Sequence, residues 1–382
     1  MIPCRSIRNL LVAGFVLAAS LGVLRCTAAP HVAADSLPAQ IGDDAFWQMI
    51  SEFSEPGGYF RSDNFLSNEN AFQVVIPELS ERESPGGVYL GVGPEQNFTY
   101  LVALQPKLAF IIDIRRQNML EHLLYKALIE RSANREEFLS RLFAREPPTG
   151  LGANPGVEAL FEAYEIARPA DELFQENLQM VKEQLVTHHG FSLSSDDLRS
   201  IEYVYRAFYN GGPNLNYSFL SGGRGGWGWF PTYAQLMTET DGRGAHRSYL
   251  ATEENFRSLR ELEGNNVIVP IVGDFAGPKA IRSVSRYLKE HGATVTAFYT
   301  SNVEQYLFQQ NDDWKKFFSN VATLPIDGNS TFIRSVSNRG FQYRSSGAGP
   351  RAMPRLSAIA DLLNAFNGGR MSGYADVIAM SK

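Results

Sequence analysis

VYLGVGPE at residues 88–95 and LAFIID at residues 108–113 are the two segments that decide the fold of this chain. The first is an apolar run that ends at two glycines, Gly91 and Gly93, and the second is an apolar run that ends at Asp113. A helical pattern joins them, and Asp113 follows Gly93 by 20 residues. This layout is typical of a nucleotide-binding βαβ unit, in which glycines let a ligand approach the backbone and the acid accepts hydrogen bonds from a ribose.

The predicted binding site surrounds this unit. The helix after the glycines begins at Gln96 and Asn97, and its free backbone amides favour an anionic group. Arg115 lies on the rim just after Asp113, where a guanidinium can reach a phosphate or a carboxylate. The predicted cofactor-binding residues are therefore Gly91, Gly93, Glu95, Gln96, Asn97, Asp113 and Arg115. Helix capping is the alternative role for Asn97 and for Asp113, the latter with Arg115 or a backbone amide as its partner.

Composition places the chain among globular proteins. Its 382 residues are 44% hydrophobic and 20% charged, and this length can bury a large core. The formal net charge of −6 argues against non-specific binding to nucleic acid or to anionic lipid, so we predict no nucleic-acid partner.

Residues 1–34 read as a signal peptide with its cleavage region. Two arginines, Arg5 and Arg8, precede an apolar run at residues 10–24, and small residues follow it. The apolar run is too short for a spanning helix, so we predict export to the periplasm or beyond, with no stable membrane span in the mature protein. Lipoprotein anchoring at Cys26 is disfavoured by Arg25, since a small residue is expected there. Both cysteines, Cys4 and Cys26, lie in this segment, which excludes disulfides and thiolate metal sites from the mature chain.

The rest of the chain divides by its pattern into four segments. A linker and helical layer at 35–86 precedes the first half of a Rossmann-like core at 87–132, a helical insertion occupies 133–246, and the second half of the core with its edge strands occupies 247–382. The predicted strands are residues 87–92, 108–114, 248–251, 266–274, 294–299, 330–337 and 374–380. Strands separated by helices pair in parallel. The fold class is therefore α/β, a doubly wound, mostly parallel seven-stranded sheet with an N-terminal helical layer and a large helical insertion.

This order resembles the class I methyltransferase core, which binds S-adenosylmethionine. The strings GVGPEQNFTY, IIDIRRQNM, GDFAGPKAIR and FYTSNVEQYL are also similar to an uncharacterised bacterial family with a methyltransferase-like Rossmann core. The resemblance implies that Gly91 and Gly93 form the cofactor loop and that Asp113 holds the ribose. It also implies that the adenine lies near Thr252 and Glu253.

Two positions depart from the methyltransferase pattern. Tyr89 stands where an acid usually precedes the first glycine, and Glu95 stands where a third glycine is usual. The Glu95 carboxylate either binds the amino group of the methionine part or marks a pocket rebuilt for another ligand.

Further candidate residues lie at the same edge of the predicted sheet. Asp274 and Lys279 bracket the loop after an apolar strand, and they form an acid/base pair if burial shifts either pKa. A surface ion pair is the alternative. The aromatic and glycine-rich loop at 210–230 predicts a substrate lid, with Trp227, Trp229 and Phe230 as its contact residues.

The histidines do not suggest a metal site. His188 and His189 are adjacent, so on a helix they do not face one ligand together, and we expect a solvated pair. We predict that the protein holds no metal.

Two functions follow from the sequence. The first is methyl transfer from S-adenosylmethionine to an unknown acceptor, and the second is non-catalytic binding of a small ligand by an exported protein on the same scaffold. An NAD-dependent oxidoreductase ranks last because Glu95 would repel a pyrophosphate. The sequence leaves open whether the protein is an enzyme.

Overall fold

The computed structural model describes residues 35–82, 85–152, 154–217, 230–337 and 352–381. The predicted signal peptide at 1–34, with Cys26, lies outside these residues. Within the described residues, no helix is long and apolar enough to cross a membrane.

One mixed sheet forms the centre of the described chain. Its strands are β1 (Val88–Gly91), β2 (Leu108–Asp113), β3 (Ile268–Val272), β4 (Val295–Ser301), β5 (Ile326–Ser337) and β6 (Ala352–Ala358). In the part of the chain that the structure describes, these six strands pair in the order β3-β2-β1-β4-β5-β6, and only β6 is antiparallel to its neighbour. The strand order reverses between β1 and β4, because β1 pairs with β2 on one side and with β4 on the other. The prediction of an α/β protein with a mostly parallel sheet is confirmed.

Helices cover this sheet and form the long connection between β2 and β3. In chain order, the described α-helices are α1 (Asp43–Phe53), α2 (Ile76–Arg82), α3 (Gln96–Leu104), α4 (Arg116–Glu130), α5 (Arg135–Phe143), α6 (Val157–Ile166), α7 (Asp171–Lys182), α8 (Ser195–Gly211), α9 (Tyr233–Thr238), α10 (Glu253–Gly264), α11 (Ala280–Glu290), α12 (Val303–Leu307), α13 (Asp313–Val321), α14 (Ile359–Asn367) and α15 (Tyr374–Ala379). Helix α4 packs against β2 and β3 and also contacts α8 and α10. All residues of β1, β2 and β3 are buried, as expected of parallel strands with both faces covered.

Two of the seven predicted strands are wrong. Residues 248–251 form a turn, in which the amide of Ala251 donates to the carbonyl of Ser248 at 2.9 Å, and Thr252 then caps α10. The apolar character of this segment comes from the burial of Tyr249 and Leu250 in the core. Residues 374–380 belong to α15, whose first turn is held by the Asp376 carboxylate. The antiparallel edge strand is β6, which the sequence pattern missed.

His189 also differs from its prediction. It is not part of a solvated pair, because its Nδ1 lies 2.8 Å from Asp43 Oδ1 and its Nε2 lies 2.7 Å from Glu130 Oε2. Burial alone would lower the pKa of His189, but the hydrogen bonds and charges of Glu130 and Asp43 raise it. The imidazole therefore links α1, the first helix of the N-terminal layer, to the end of α4.

Candidate functional site

A cavity of about 200 Å³ lies at the carboxyl ends of four neighbouring strands. Gly93 follows β1, Asp113 ends β2, Asp274 follows β3, and Ser301 ends β4, and all four line the cavity. This is the edge at which open α/β sheets bind ligands, at the point where the strand order reverses. The segment 59–69 and residues of α12 complete the wall.

The two glycines of the first loop have different functions. Gly93 has φ +79, a backbone conformation that favours glycine, and it lines the cavity. Gly91 has an ordinary φ, but a Cβ at this position would lie 2.0 Å from Asn97 Oδ1 and 2.7 Å from the Tyr89 ring. Gly91 is therefore required by internal packing, whereas Gly93 allows the turn beside the cavity.

Asn97 holds the glycine loop in place. Its Nδ2 lies 2.8–3.1 Å from the carbonyl oxygens of residues 92–94, and its Oδ1 accepts the hydroxyl of Tyr89 at 2.8 Å. Asn97 does not line the cavity. Its sequence position suggested a ligand contact or a helix cap, and the structure shows a third role, the bracing of the loop.

Glu95 is turned away from the cavity. Its side chain is fully buried, and both carboxylate oxygens accept the amide of Ser67, at 3.3 and 3.2 Å. Burial raises the pKa of Glu95 to about 8. Glu95 is absent from the residues that line the cavity, so its carboxylate has no direct access to a ligand there.

Asp113 lines the cavity and forms a closed ion pair with Arg115. Asp113 Oδ1 accepts the backbone amide of Arg115 at 2.9 Å and its Nε at 3.1 Å, while Oδ2 accepts Nη2 at 3.1 Å. The remaining Arg115 nitrogen, Nη1, donates to the carbonyl of Asp63. Both side chains are buried. The local partners considered for Asp113 from the sequence, Arg115 and a backbone amide, are both present.

Glu69 is a second buried carboxyl group in the cavity, and the sequence did not single it out. Its Oε2 accepts the hydroxyl of Tyr299 at 2.8 Å, and its Oε1 accepts the hydroxyl of Ser301. Gln96 Nε2 donates to the same Tyr299 oxygen at 3.0 Å. Ser301 has φ +52, a backbone conformation that is uncommon for a residue with a side chain. Residues in such conformations cluster at functional sites.

Gln96 is the one predicted helix-start residue that faces the cavity. It is buried and lines the cavity, and its Oε1 has no hydrogen-bond partner among the described residues. A buried acceptor without a partner is costly, so this atom marks a place where a donor would be stabilised.

Asp274 and Lys279 do not form the predicted acid/base pair. Asp274 lines the cavity, and burial raises its pKa, but Lys279 Nζ donates instead to the carbonyl of Ser54 at 2.8 Å. The Glu55 carboxylate accepts the amides of Lys279 at 2.7 Å and Asp274 at 3.3 Å. Asp274 and Lys279 form no ion pair with each other in the described structure, because Ser54 and Glu55, which follow α1, engage the Lys279 ammonium and the two backbone amides.

Aromatic rings border the mouth of the cavity. Tyr59 is 86% exposed, and Phe60 meets Tyr306 edge to face with 5.6 Å between ring centroids. Of the predicted lid residues, Trp227 and Trp229 lie outside the described residues. Phe230 packs against Tyr217 at 5.0 Å, and Tyr217 lines the cavity.

Charge in the cavity is unbalanced. Among the described residues that line it, Glu69, Asp113 and Asp274 are acidic, and Arg115 is the single cationic side chain. In the same residues, no group of three His, Cys, Asp or Glu side chains is placed to hold a metal ion.

A family model described as a domain of unknown function, DUF7790, matches residues 64–150 and 151–354. These segments cover well over half of the sequence. The chain belongs to the DUF7790 family. The DUF7790 match includes Glu69, Gln96, Asp113 and Ser301, and it begins after Tyr59 and Phe60. No curated protein matches the chain.

Proposed function

We propose that this protein binds S-adenosylmethionine, or a closely related nucleoside compound, in the cavity and transfers its methyl group to an acceptor. One observation carries the proposal. The cavity opens where the strand order reverses between β1 and β4, with Gly93 on one wall and Asp113 on another. Crevices at this point bind nucleotide ligands in doubly wound sheets, whose strand order 3-2-1-4-5-6 agrees with the order here.

The side chains on the cavity wall are compatible with such a ligand. Each carboxylate oxygen has two lone pairs, and Arg115 already occupies both on Oδ1 and one on Oδ2, so Asp113 Oδ2 can still accept one ribose hydroxyl. The resemblance to methyltransferases places the adenine beside the third strand of the sheet. That strand is β3, which begins at Ile268, so the expected adenine position is the loop at Gly273-Asp274-Phe275 rather than Thr252 and Glu253. This loop lines the cavity. Asp274 there is an acceptor for the exocyclic amine of the base.

The size of the cavity limits how the ligand is held. Its volume of about 200 Å³ is below the roughly 300–1,000 Å³ of pockets that enclose a drug-sized ligand. A complete nucleoside cofactor would therefore extend past the rim at Tyr59. When bound, S-adenosylmethionine supplies a methyl group on a positively charged sulfur. The residues of this chain would bind and orient the ligand and exclude water from the inner part of the cavity.

Non-catalytic binding of another small ligand is the second candidate. Two observations favour it: Asp113 already has a full cationic partner in Arg115, and Glu95 is turned away from the cavity. Both reduce the contacts available to S-adenosylmethionine. The export predicted from residues 1–34 favours it too, since this cofactor is made and kept in the cytoplasm.

Calorimetric titration with S-adenosylhomocysteine tests the proposal. We expect micromolar binding that Asp113→Asn weakens by at least about tenfold, which corresponds to roughly 1.4 kcal/mol. Asp197→Asn is the matched control, because Asp197 also pairs with an arginine, Arg116 at 2.6 Å, but lies away from the cavity. Absence of binding contradicts the proposal. Equal effects of the two substitutions would show that the ligand is held elsewhere.

A further inference from the structure

Glu69 is a buried carboxyl group in the cavity wall, and its partners are hydroxyl groups. Burial raises its pKa, and the groups that lower the pKa are hydroxyls, those of Ser301, Tyr299 and Ser335. Glu69 forms no ion pair with any described residue. A buried acid without a cation is stabilised when a cation arrives, because the arriving charge offsets the cost of burial.

Gln96 shares a hydroxyl partner with Glu69 and has an acceptor atom without a donor among the described residues. Gln96 Nε2 and Glu69 Oε2 meet at the same Tyr299 oxygen, at 3.0 and 2.8 Å, so the two side chains are joined through one hydroxyl. The other end of the Gln96 amide, Oε1, has no partner among the described residues. Glu69 and Gln96 both line the cavity, so its wall carries a carboxyl group without a cation and an amide oxygen without a donor among the described residues.

Anionic groups do not suit this end of the cavity. Arg115 is the only cation on the described wall, and its guanidinium is engaged by Asp113 and by the Asp63 carbonyl. A phosphate or carboxylate near Glu69 would therefore meet negative charge without a free positive partner. A group with positive charge and several N–H donors fits both Glu69 and Gln96.

We propose that the inner end of the cavity is a subsite for a primary ammonium group, with the Glu69 carboxylate and Gln96 Oε1 as its acceptors. The subsite rests on the proposed function only for the identity of the rest of the ligand. The ammonium belongs either to the amino-acid end of an S-adenosylmethionine-type ligand or to a separate amine that accepts the methyl group. In the first case Glu69 takes the role that the sequence assigned to Glu95.

Two matched pairs of compounds separate these sources. S-adenosylhomocysteine and its deamino analogue differ only in the ammonium group. Phenethylamine and 2-phenylethanol also differ in having or lacking an ammonium group, and their ring suits the aromatic mouth formed by Tyr59, Phe60 and Tyr306. Each compound is titrated into the wild-type protein, Glu69→Gln and Glu95→Gln. Glu95→Gln is the control, because Glu95 is also buried and lies in the loop after β1, but it does not line the cavity.

We expect the ammonium compound of at least one pair to bind about tenfold more tightly than its partner, as hydrogen bonds to a charged group allow. Glu69→Gln should remove this advantage and leave the affinity of the neutral partner within about twofold, and Glu95→Gln should change neither. If Glu69→Gln fails to fold, Gln96→Met replaces it, with a smaller loss of the same advantage expected.

The outcomes keep the two proposals apart. If S-adenosylhomocysteine binds more tightly than its deamino analogue, the subsite belongs to the nucleoside ligand. If only phenethylamine binds more tightly than its neutral partner, measured with the deamino analogue present, the subsite belongs to the acceptor. If neither adenosyl compound binds, the proposed function fails, and the phenyl pair alone decides the subsite. Equal affinities within both pairs, or an advantage that survives Glu69→Gln, overturn the subsite.

Discussion

Asp113 and Glu69 lie in the same cavity, are both buried, and differ in how their charge is compensated. Asp113 receives a bidentate ion pair and a backbone amide from Arg115. Among the described residues, the Glu69 side chain receives hydrogen bonds from the hydroxyl groups of Tyr299, Ser301 and Ser335 and from no cation. A cationic ligand therefore stabilises the protein most where the fold supplies no cation of its own. Asp113, which is paired with Arg115, mainly holds the loop around it in place. Glu69, which lacks such a partner, would be stabilised by the positive charge of a bound ligand.

We expect the greatest loss of stability when Arg115, the cationic partner of Asp113, is removed. Arg115→Met leaves Asp113 buried without its cation and removes one donor from the carbonyl of Asp63, so we expect a loss of about 3–5 kcal/mol in the free energy of unfolding, measured with urea. Arg116→Met is the control, because Arg116 is 48% exposed where it pairs with Asp197 and should cost below about 1 kcal/mol. Similar losses in both variants would remove the distinction between a structural and a surface ion pair.

The pH dependence of stability separates a buried carboxyl group that lacks a cationic partner from one that has such a partner. Glu95 forms no ion pair with a described residue, and burial raises its pKa from 4.5 to about 8. Its contribution to stability is therefore full below pH 4.5 and is lost as the pH rises towards 8, by up to about 1.4 kcal/mol per pH unit. Asp197, paired with Arg116, has its pKa lowered from 3.8 to about 2, so its contribution is full above pH 3.8 and is lost as the pH falls towards 2.

Urea unfolding at pH 5 and pH 8 measures the Glu95 contribution. The wild-type protein should lose more stability between these values than Glu95→Gln, since the amide does not ionise. Glu263 and Glu239 also have raised pKa values, but they titrate in both proteins and cancel in the difference. An identical pH dependence in the two proteins would contradict the assignment of a protonated, buried Glu95.

The hydroxyl partners of Glu69 have a smaller effect. Tyr299→Phe removes the hydroxyl that donates to Glu69 and accepts from Gln96, so we expect a loss of about 1–2 kcal/mol in the free energy of unfolding. Tyr203→Phe, which removes a hydroxyl from an exposed ring that donates to Asp63 at 3.1 Å, should stay within about 0.5 kcal/mol. If the two variants lose the same free energy of unfolding, the hydroxyl of Tyr299 contributes no more to stability than an exposed one.

The smallest expected effect on stability is that of Glu69→Gln in the ligand-free protein. Because burial already favours the neutral form of Glu69, replacing the carboxyl group by a neutral amide of the same shape should change the free energy of unfolding by less than about 1 kcal/mol. A loss comparable to that of Arg115→Met would mean that Glu69 is a structural residue like Asp113.

Much of the fold follows from local sequence pattern. The apolar runs that contain β1 to β4 are continuous enough for these strands to be predicted directly from the sequence. The edge strand β6 was missed because Pro354 and Arg355 interrupt its apolar character, and an edge strand tolerates both. Residues 374–380 are apolar except for Asp376, which suggests a short strand, but the hydrogen bonds that Asp376 accepts at the start of the segment favour a helix.

The candidate site follows from the sequence only in part. Asp113 was found because it ends a strand 20 residues after Gly93, which is a local signal. Glu69 lies in an irregular segment and meets Tyr299 across 230 residues of chain, so no spacing rule points to it. The direction of the Glu95 side chain likewise depends on the amide of Ser67, which comes from a separate segment. Tertiary contacts decide which carboxyl groups face the cavity.

The most direct test of the account is a crystal structure of the protein soaked with S-adenosylhomocysteine. We expect ligand density in the cavity between Gly93 and Asp113. If the ammonium subsite belongs to the nucleoside ligand, its ammonium group will lie within hydrogen-bond distance of Glu69 and Gln96. Density at another place on the protein would contradict the proposed function.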